Sequence, residues 1–154
     1  MSDHRIILMA VDASKNSKTA FEWYLKRLML PTDYVYFIHV FVTPSLPTVN
    51  LSSINIPTEE WSQILKKKLE ASNEISNDYT GACAKYKLKN DFVTESSDHI
   101  GDSIVNCAKK IDATMIVVGN RGLGAIKRTI MGSVSDYILH HTAVPVMMVP
   151  NDLN

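Results

Sequence analysis

Net charge is absent from this sequence: 16 Lys and Arg balance 16 Asp and Glu, for a formal net charge of +0. Broad electrostatic attraction to nucleic acid or to an anionic membrane is therefore not expected. The short Lys66-Lys67-Lys68 run reads as a solvated helix face. Long apolar runs are also missing, and no stretch approaches the roughly 18 residues of a membrane span. The apolar run that begins at Ile6 is too brief for a secretory leader, and no small-residue cleavage site follows it, so no signal peptide is expected. Cysteine is scarce. Cys83 and Cys107 stand far apart, which excludes a disulfide framework and predicts a reducing, cytoplasmic setting. With 45% hydrophobic residues in 154, the chain suits a single domain over 1–154 with a normal buried core.

Four stretches are almost continuously apolar and rich in β-branched or aromatic residues: Ile6 to Val11, Tyr34 to Val42, Met115 to Val118 and Val144 to Val149. Unalternated runs of this length suit strands buried on both faces of a parallel sheet. A more polar fifth strand centres on Phe92 and Val93. Between them lie stripes at helical spacing: Ala20, Phe21, Tyr24, Leu25, Leu28; then Trp61, Ile64, Leu65, Leu69, Ile75, Tyr79; then Ile100, Ile104, Ala108, Ile111; then Val134, Tyr137, Ile138, His141. Ser14 or Ser17, Thr58, Asp98 and Ser133 stand where N-caps belong. The βαβαβαβαβ order predicts a parallel sheet with helices on both faces and right-handed crossovers. A loop containing Pro44, Pro47 and Pro57 follows the second strand. It either borders a ligand site or is a plain surface excursion.

Ligands of open α/β sheets sit outside the carboxyl ends of the strands. The segment after the fourth strand carries Gly119, Gly122, Gly124 and Gly132, then Ser133 at a helix start. Gly119 and Gly122 allow positive φ and close backbone approach. Gly132, Ser133 and Val134 would present free N–H groups at a positive helix end, with Ser135 in the same turn, an arrangement that favours an anion. Two common fingerprints fail. Gly119 and Gly124 have P-loop spacing, but Ala125 and Ile126 follow where Lys and Ser or Thr are needed. No glycine occurs in the "VDASKNS" that follows the first strand.

The pattern that does fit is G-x2-G-x9-G-[ST], at Gly119, Gly122, Gly132 and Ser133. With "VDASKNS", "HIGDSIVNCAKKIDATMIVVGNRG" and "GSVSDYILHHTAVPVMMVP", the whole chain resembles the universal stress protein family, in its ATP-binding branch. The resemblance implies a five-stranded parallel sheet of order 3-2-1-4-5, Rossmann-like, and a homodimer joined through the last strand. It also implies that the motif glycines and Ser133 hold ribose and phosphates. Asp12 matches the acidic residue of the family's nucleotide site, and Val40 the position whose backbone meets adenine. Ala10, Val11 and Val118 at strand ends, Asn120 and Arg121 in the loop, and Val134 and Ser135 complete the expected set. Arg121, Lys127 and Arg128 are candidates to reach phosphate. Asn120 stands where the family often has Ser or His, and still donates and accepts.

Blander readings stand beside several of these. Asp12 is also suited to capping the first helix. His39, inside an apolar strand, reads as a satisfied core histidine. His140 and His141 face different ways on a helix, and no protein-only metal site is expected, so Mg²⁺ or Mn²⁺ would arrive with the nucleotide phosphates. Cys83 and Cys107 read as core thiols, and Met131 as core packing or pocket lining. The expected function is ATP binding (ADP or AMP being alternatives) in stress response or signalling, with weak hydrolysis at most. The rivals are an ATP-hydrolysing or adenylyl-transferring enzyme on the same fold, and an interaction module with a vestigial site.

Overall fold

A computed structural model describes residues 4–45, 58–120 and 132–151. Strands β1 (Ile6–Ala10), β2 (Tyr34–Phe41), β3 (Lys89–Ser96), β4 (Met115–Gly119) and β5 (Val146–Val149) alternate with helices α1 (Lys15–Arg27), α2 (Thr58–Lys85), α3 (Ile100–Lys110) and α4 (Ser133–His141). The strands form one parallel sheet in the order β3-β2-β1-β4-β5. Strand order reverses at β1, so the connections to β2 and to β4 leave in opposite directions.

Alternation along β1 divides the core. Ile7 and Met9 meet Ala20, Phe21 and Tyr24 of α1 and Ile75, Tyr79 and Cys83 of α2. Leu8 meets Ile104 and Ala108 of α3 and Ile138 of α4. Helices therefore cover both faces, α1 and α2 on one and α3 and α4 on the other, as βαβ units of one hand require.

Three expectations are corrected. The apolar stripe of α2 is buried only over its C-terminal half, while Ile64 is 47% and Leu69 44% exposed. A helix of 28 residues beside a strand of 8 has about 42 Å to cover about 26 Å, so it overhangs the sheet. Asp98 is not the cap of α3. His99 holds the N-cap position without a side-chain hydrogen bond, and the Ser97 hydroxyl accepts from the His99 N–H at 3.1 Å. The cap of α4 is Gly132, with Ser133 its first helical residue.

At the end of the sheet opposite the carboxyl ends, Asp33 binds a polar knot. Its carboxylate accepts from Arg5 Nε and Nη2 at 2.8 Å each, from the Tyr24 hydroxyl at 2.7 Å and from the Leu30 N–H at 2.9 Å. Arg5 also donates to the Leu28 carbonyl, tying the lead into β1 to the end of α1. Burial pushes the Asp33 carboxyl up, but Arg5, Leu30 and Tyr24 outweigh it and hold it below the ordinary carboxylate range. Helices α2 and α3 close with Lys87 at φ 53° and Asp112 at φ 54°. In both, the following N–H reaches back five residues, Leu88 to Cys83 and Ala113 to Ala108, which is the geometry of a left-handed helix cap.

Candidate functional site

A cleft of about 230 Å³ lies at the carboxyl ends of β1 and β4. Ala10 lines it from β1, Val11 and Asp12 from the turn that follows, Val40 from β2, Val118 and Gly119 from β4, and Gly132, Ser133, Val134 and Ser135 from the start of α4. Ten of the thirteen residues expected from the sequence thus meet around one space, although they come from four separated segments. Asn120 is not among the lining residues: its N–H donates to the Val149 carbonyl at 2.8 Å, and its Oδ1 is buried without a donor among the described residues. Arg121 and Gly122, like Lys127, Arg128 and Met131, lie outside the described residues, as does the Pro47-to-Pro57 part of the proline-bearing loop.

The sequence reading missed Ser14, Asn16, Ser17, Ile38, Ile100 and Ile104 as lining residues. Sequence spacing marks Ser14 and Ser17 only as helix caps, and the three isoleucines only as buried strand and helix-stripe positions. In fact the apolar layer between the sheet and α3 runs out into the cleft, so one side chain serves both. Asn16 had no signal beyond its place in the first turn of α1.

The N-termini of α1, α3 and α4 border this cleft, and they differ. Helix α1 is capped by its own chain: Ser14 Oγ accepts from the Ser17 N–H at 3.2 Å, and Asp12 Oδ1 accepts from the Ser14 N–H at 2.8 Å. Asp12 therefore caps the entry to the helix while its residue also lines the cleft. Helix α4 begins at Gly132, which has no side chain to offer, and no side-chain hydrogen bond caps its first turn. Ser135 does not cap it either, since its hydroxyl donates to the Gly132 carbonyl at 2.9 Å. Helix α3, whose Ile100 lines the cleft, likewise has no side-chain bond from its N-cap His99, but α4 sets four consecutive residues of its start, Gly132 to Ser135, around the cleft with no side-chain cap among the described residues, and an anion is favoured there.

The glycines hold their places for different reasons. Gly119 does not take the positive φ that its residue type allowed; no described glycine does. A Cβ there would lie 2.5 Å from the Asn16 carbonyl oxygen, so Gly119 is what lets α1 start tight against the end of β4. Gly132 has φ −60° and ψ 140°, open to any L residue, and among the described residues a Cβ there would meet only Ser135 Oγ at 3.4 Å. No packing among the described residues explains the second glycine.

His39 is a satisfied strand histidine, its Nδ1 2.8 Å from the Val11 carbonyl, which it holds just behind the cleft. His140 pairs with Asp136 and His141 stacks on Tyr137, 3.8 Å between ring centres. Cys83 and Cys107 are buried free thiols in the two separate core layers, and burial pushes the Cys83 thiol up to about 11.

The profile of the universal stress protein family matches residues 4–150. A universal stress protein from Mycolicibacterium smegmatis is 28% identical over 148 residues, covering 95% of this chain and 48% of that protein. The chain spans between 48% and 63% of the length of the first curated relatives it matches. Among solved structures, a universal stress protein family protein from Arabidopsis thaliana with AMP bound has a TM-score of 0.69 at 22% identity, covering 95% of this chain and 91% of that one. One from Archaeoglobus fulgidus in complex with dAMP has a TM-score of 0.64 at 18% identity, covering 97% and 99%. These structural likenesses concern the fold. With the sheet order, the glycine spacing and a family match over nearly its whole length, the chain belongs to the universal stress protein family.

Proposed function

We propose that the chain binds an adenine nucleotide, ATP in the first place, in the cleft between the carboxyl ends of β1 and β4, and serves a stress-response or signalling role with slow hydrolysis or none. The observation that carries this reading is the uncapped first turn of α4 at Gly132–Ser135, facing the same cleft as the Asp12 turn and Val40. Backbone N–H groups would hold the phosphates, and the apolar wall of Ile38, Val40, Ile100 and Ile104 would take the base. The AMP and dAMP bound by the two neighbours support an adenine nucleotide as ligand.

Among the described lining residues Asp12 is the single carboxylate, and no histidine or lysine joins it. That donor set does not make a metal cage. Mg²⁺ or Mn²⁺ would be held chiefly by the phosphates, with Asp12 the carboxylate that the described lining offers it. The same poverty of acid–base groups argues for slow turnover.

The proposed assembly is a homodimer through β5. Both sheet edges are strands, but β3 carries Lys89, Asp91 and Glu95, whereas β5 reads Val-Met-Met-Val with no charge. Two buried free thiols suit the reducing cytoplasm in which we place the protein.

The test is to denature freshly purified protein, identify any released nucleotide by chromatography, and titrate the emptied protein with ATP, ADP and AMP in a calorimeter. Adenine nucleotide in the supernatant and saturable binding are expected. The absence of both released nucleotide and saturable binding would refute the proposal, and ATP turnover above about 1 s⁻¹ would favour the enzyme reading.

A further inference from the structure

Strand β1 stops at Ala10, so the backbone of Asp12 has no ladder partner. Two side chains answer it. The Asp12 N–H donates to Ser17 Oγ at 3.1 Å, and the Tyr79 hydroxyl donates to the Asp12 carbonyl at 3.2 Å. The two hydroxyl oxygens are 2.7 Å apart. Proton counting fixes the direction of that third bond. A phenol has one proton, and Tyr79 spends it on the carbonyl, so the Ser17 hydroxyl must donate to Tyr79 Oη. The result is a closed ring: Asp12 N–H to Ser17, Ser17 O–H to Tyr79, Tyr79 O–H back to the Asp12 carbonyl. Burial pushes the Tyr79 phenol up to about 12, so its proton stays in place at neutral pH.

Ser17 is 6% and Tyr79 3% exposed, so water does not readily substitute in the ring. Tyr79 comes from α2, on the sheet face away from α3 and α4, and has no place in the cleft lining. It nonetheless grips the one residue that supplies the cleft with a carboxylate. Its ring is held by Phe21 at 5.3 Å and Phe37 at 5.4 Å between centroids, so the hydroxyl has little freedom to leave.

We infer that Tyr79 and Ser17 are positioning residues for nucleotide binding, a clamp from α2 and α1 that holds the Asp12 turn in its ligand-ready conformation. The inference rests on the nucleotide reading of the cleft. Removing either hydroxyl opens the same ring, so the two losses are not independent.

Tyr79→Phe, Ser17→Ala and the double variant are compared with the wild type for Mg-ATP and AMP affinity, thermal unfolding, and exchange of the Asp12 amide by NMR. Each single variant is expected to weaken nucleotide binding about five- to tenfold, one hydrogen bond's worth. The double variant is expected to lose little more than either single one. The Asp12 amide, protected in the wild type, should exchange faster in every variant while amides of β4 stay unchanged. A wild type that binds no nucleotide defeats the nucleotide reading and this inference with it. A wild type that binds, with variants that bind equally well or lose affinity additively, overturns the clamp alone. An Asp12 amide that exchanges freely in the wild type also overturns it. Should Tyr79→Phe fail to fold, Ser17→Ala carries the same comparison; failure of both makes the pair a determinant of folding and sinks the positioning role.

Discussion

Gly119 and Asn16 touch backbone to backbone: a Cβ at Gly119 would stand 2.5 Å from the Asn16 carbonyl oxygen and 2.7 Å from its carbon. The first motif glycine thus serves the joint between β4 and α1, whatever the cleft holds. Because the obstructing atoms are backbone, a side-chain rotation cannot relieve the clash. Gly119→Ala is expected to destabilise the fold by about 1–3 kcal/mol, an overpacking cost. For a chain of this size that is a fall of roughly 2–10 °C in Tm, read by circular dichroism without any ligand. An unchanged Tm would show that α1 can retreat freely, and would return Gly119 to a purely ligand-facing role.

The Arg5–Asp33 pair makes a prediction for acid stability. Asp33 is fully buried and Arg5 about a quarter exposed, so leaving the carboxylate without its guanidinium should cost about 3 kcal/mol in Arg5→Ala. The sign with pH follows from the lowered Asp33 carboxyl. Its contribution is whole above the ordinary unfolded value of about 3.9 and is lost as pH falls below that and through the folded value. Denaturant unfolding of wild type and Asp33→Asn at a series of pH values should show the gap between them shrinking below about pH 4. A gap that stays constant down to the acid transition would rule out linkage through this carboxyl.

Most of the architecture was readable from apolar runs and stripes, because strands buried on both faces announce themselves without alternation. The α2 overhang was not, since Trp61, Ile64, Leu65 and Leu69 keep helical spacing past the point where the sheet ends. Helix starts were misplaced at Asp98 and Ser133, where a polar residue adjoins the true cap. At the site, glycine spacing and the Asp12 turn were legible. The Tyr79–Ser17–Asp12 ring was not: Tyr79 lies 62 residues from Ser17 and 67 from Asp12 in sequence, and a tyrosine on an apolar stripe looks like core. The reason for Gly119 was also hidden, because a glycine that admits a neighbouring helix reads the same as one that admits a ligand.

The uncharged β5 edge sets up a test of assembly. Met147 lies on that edge strand, half-buried against the α1 side of the core. Met147→Lys is expected to weaken self-association while leaving the circular dichroism spectrum that of a folded α/β protein. Light scattering at micromolar concentration reads the mass of both. A monomeric wild type would dismiss the β5 dimer, and a folded variant that still dimerises as tightly would move the interface elsewhere.

Gly132 offers the cleanest separation of ligand from fold. Its dihedrals suit any residue, and among the described residues the space around its absent Cβ is limited only by Ser135 Oγ at 3.4 Å. Gly132→Val should therefore fold with nearly wild-type stability. If the first turn of α4 holds phosphates through its N–H groups, the added branches stand where the phosphates must approach. Losing several charge-assisted bonds of about 1.5–3 kcal/mol each should weaken Mg-ATP binding on the order of a hundredfold or more. Lys127→Ala removes instead a whole charge from the sequence, and if recognition is through the backbone that loss should cost under about 1 kcal/mol. Calorimetric titration of both folded variants decides between backbone and side-chain recognition. Near-normal affinity in Gly132→Val, with binding abolished in Lys127→Ala, would mean that the phosphates are held by charge and not by the open end of α4.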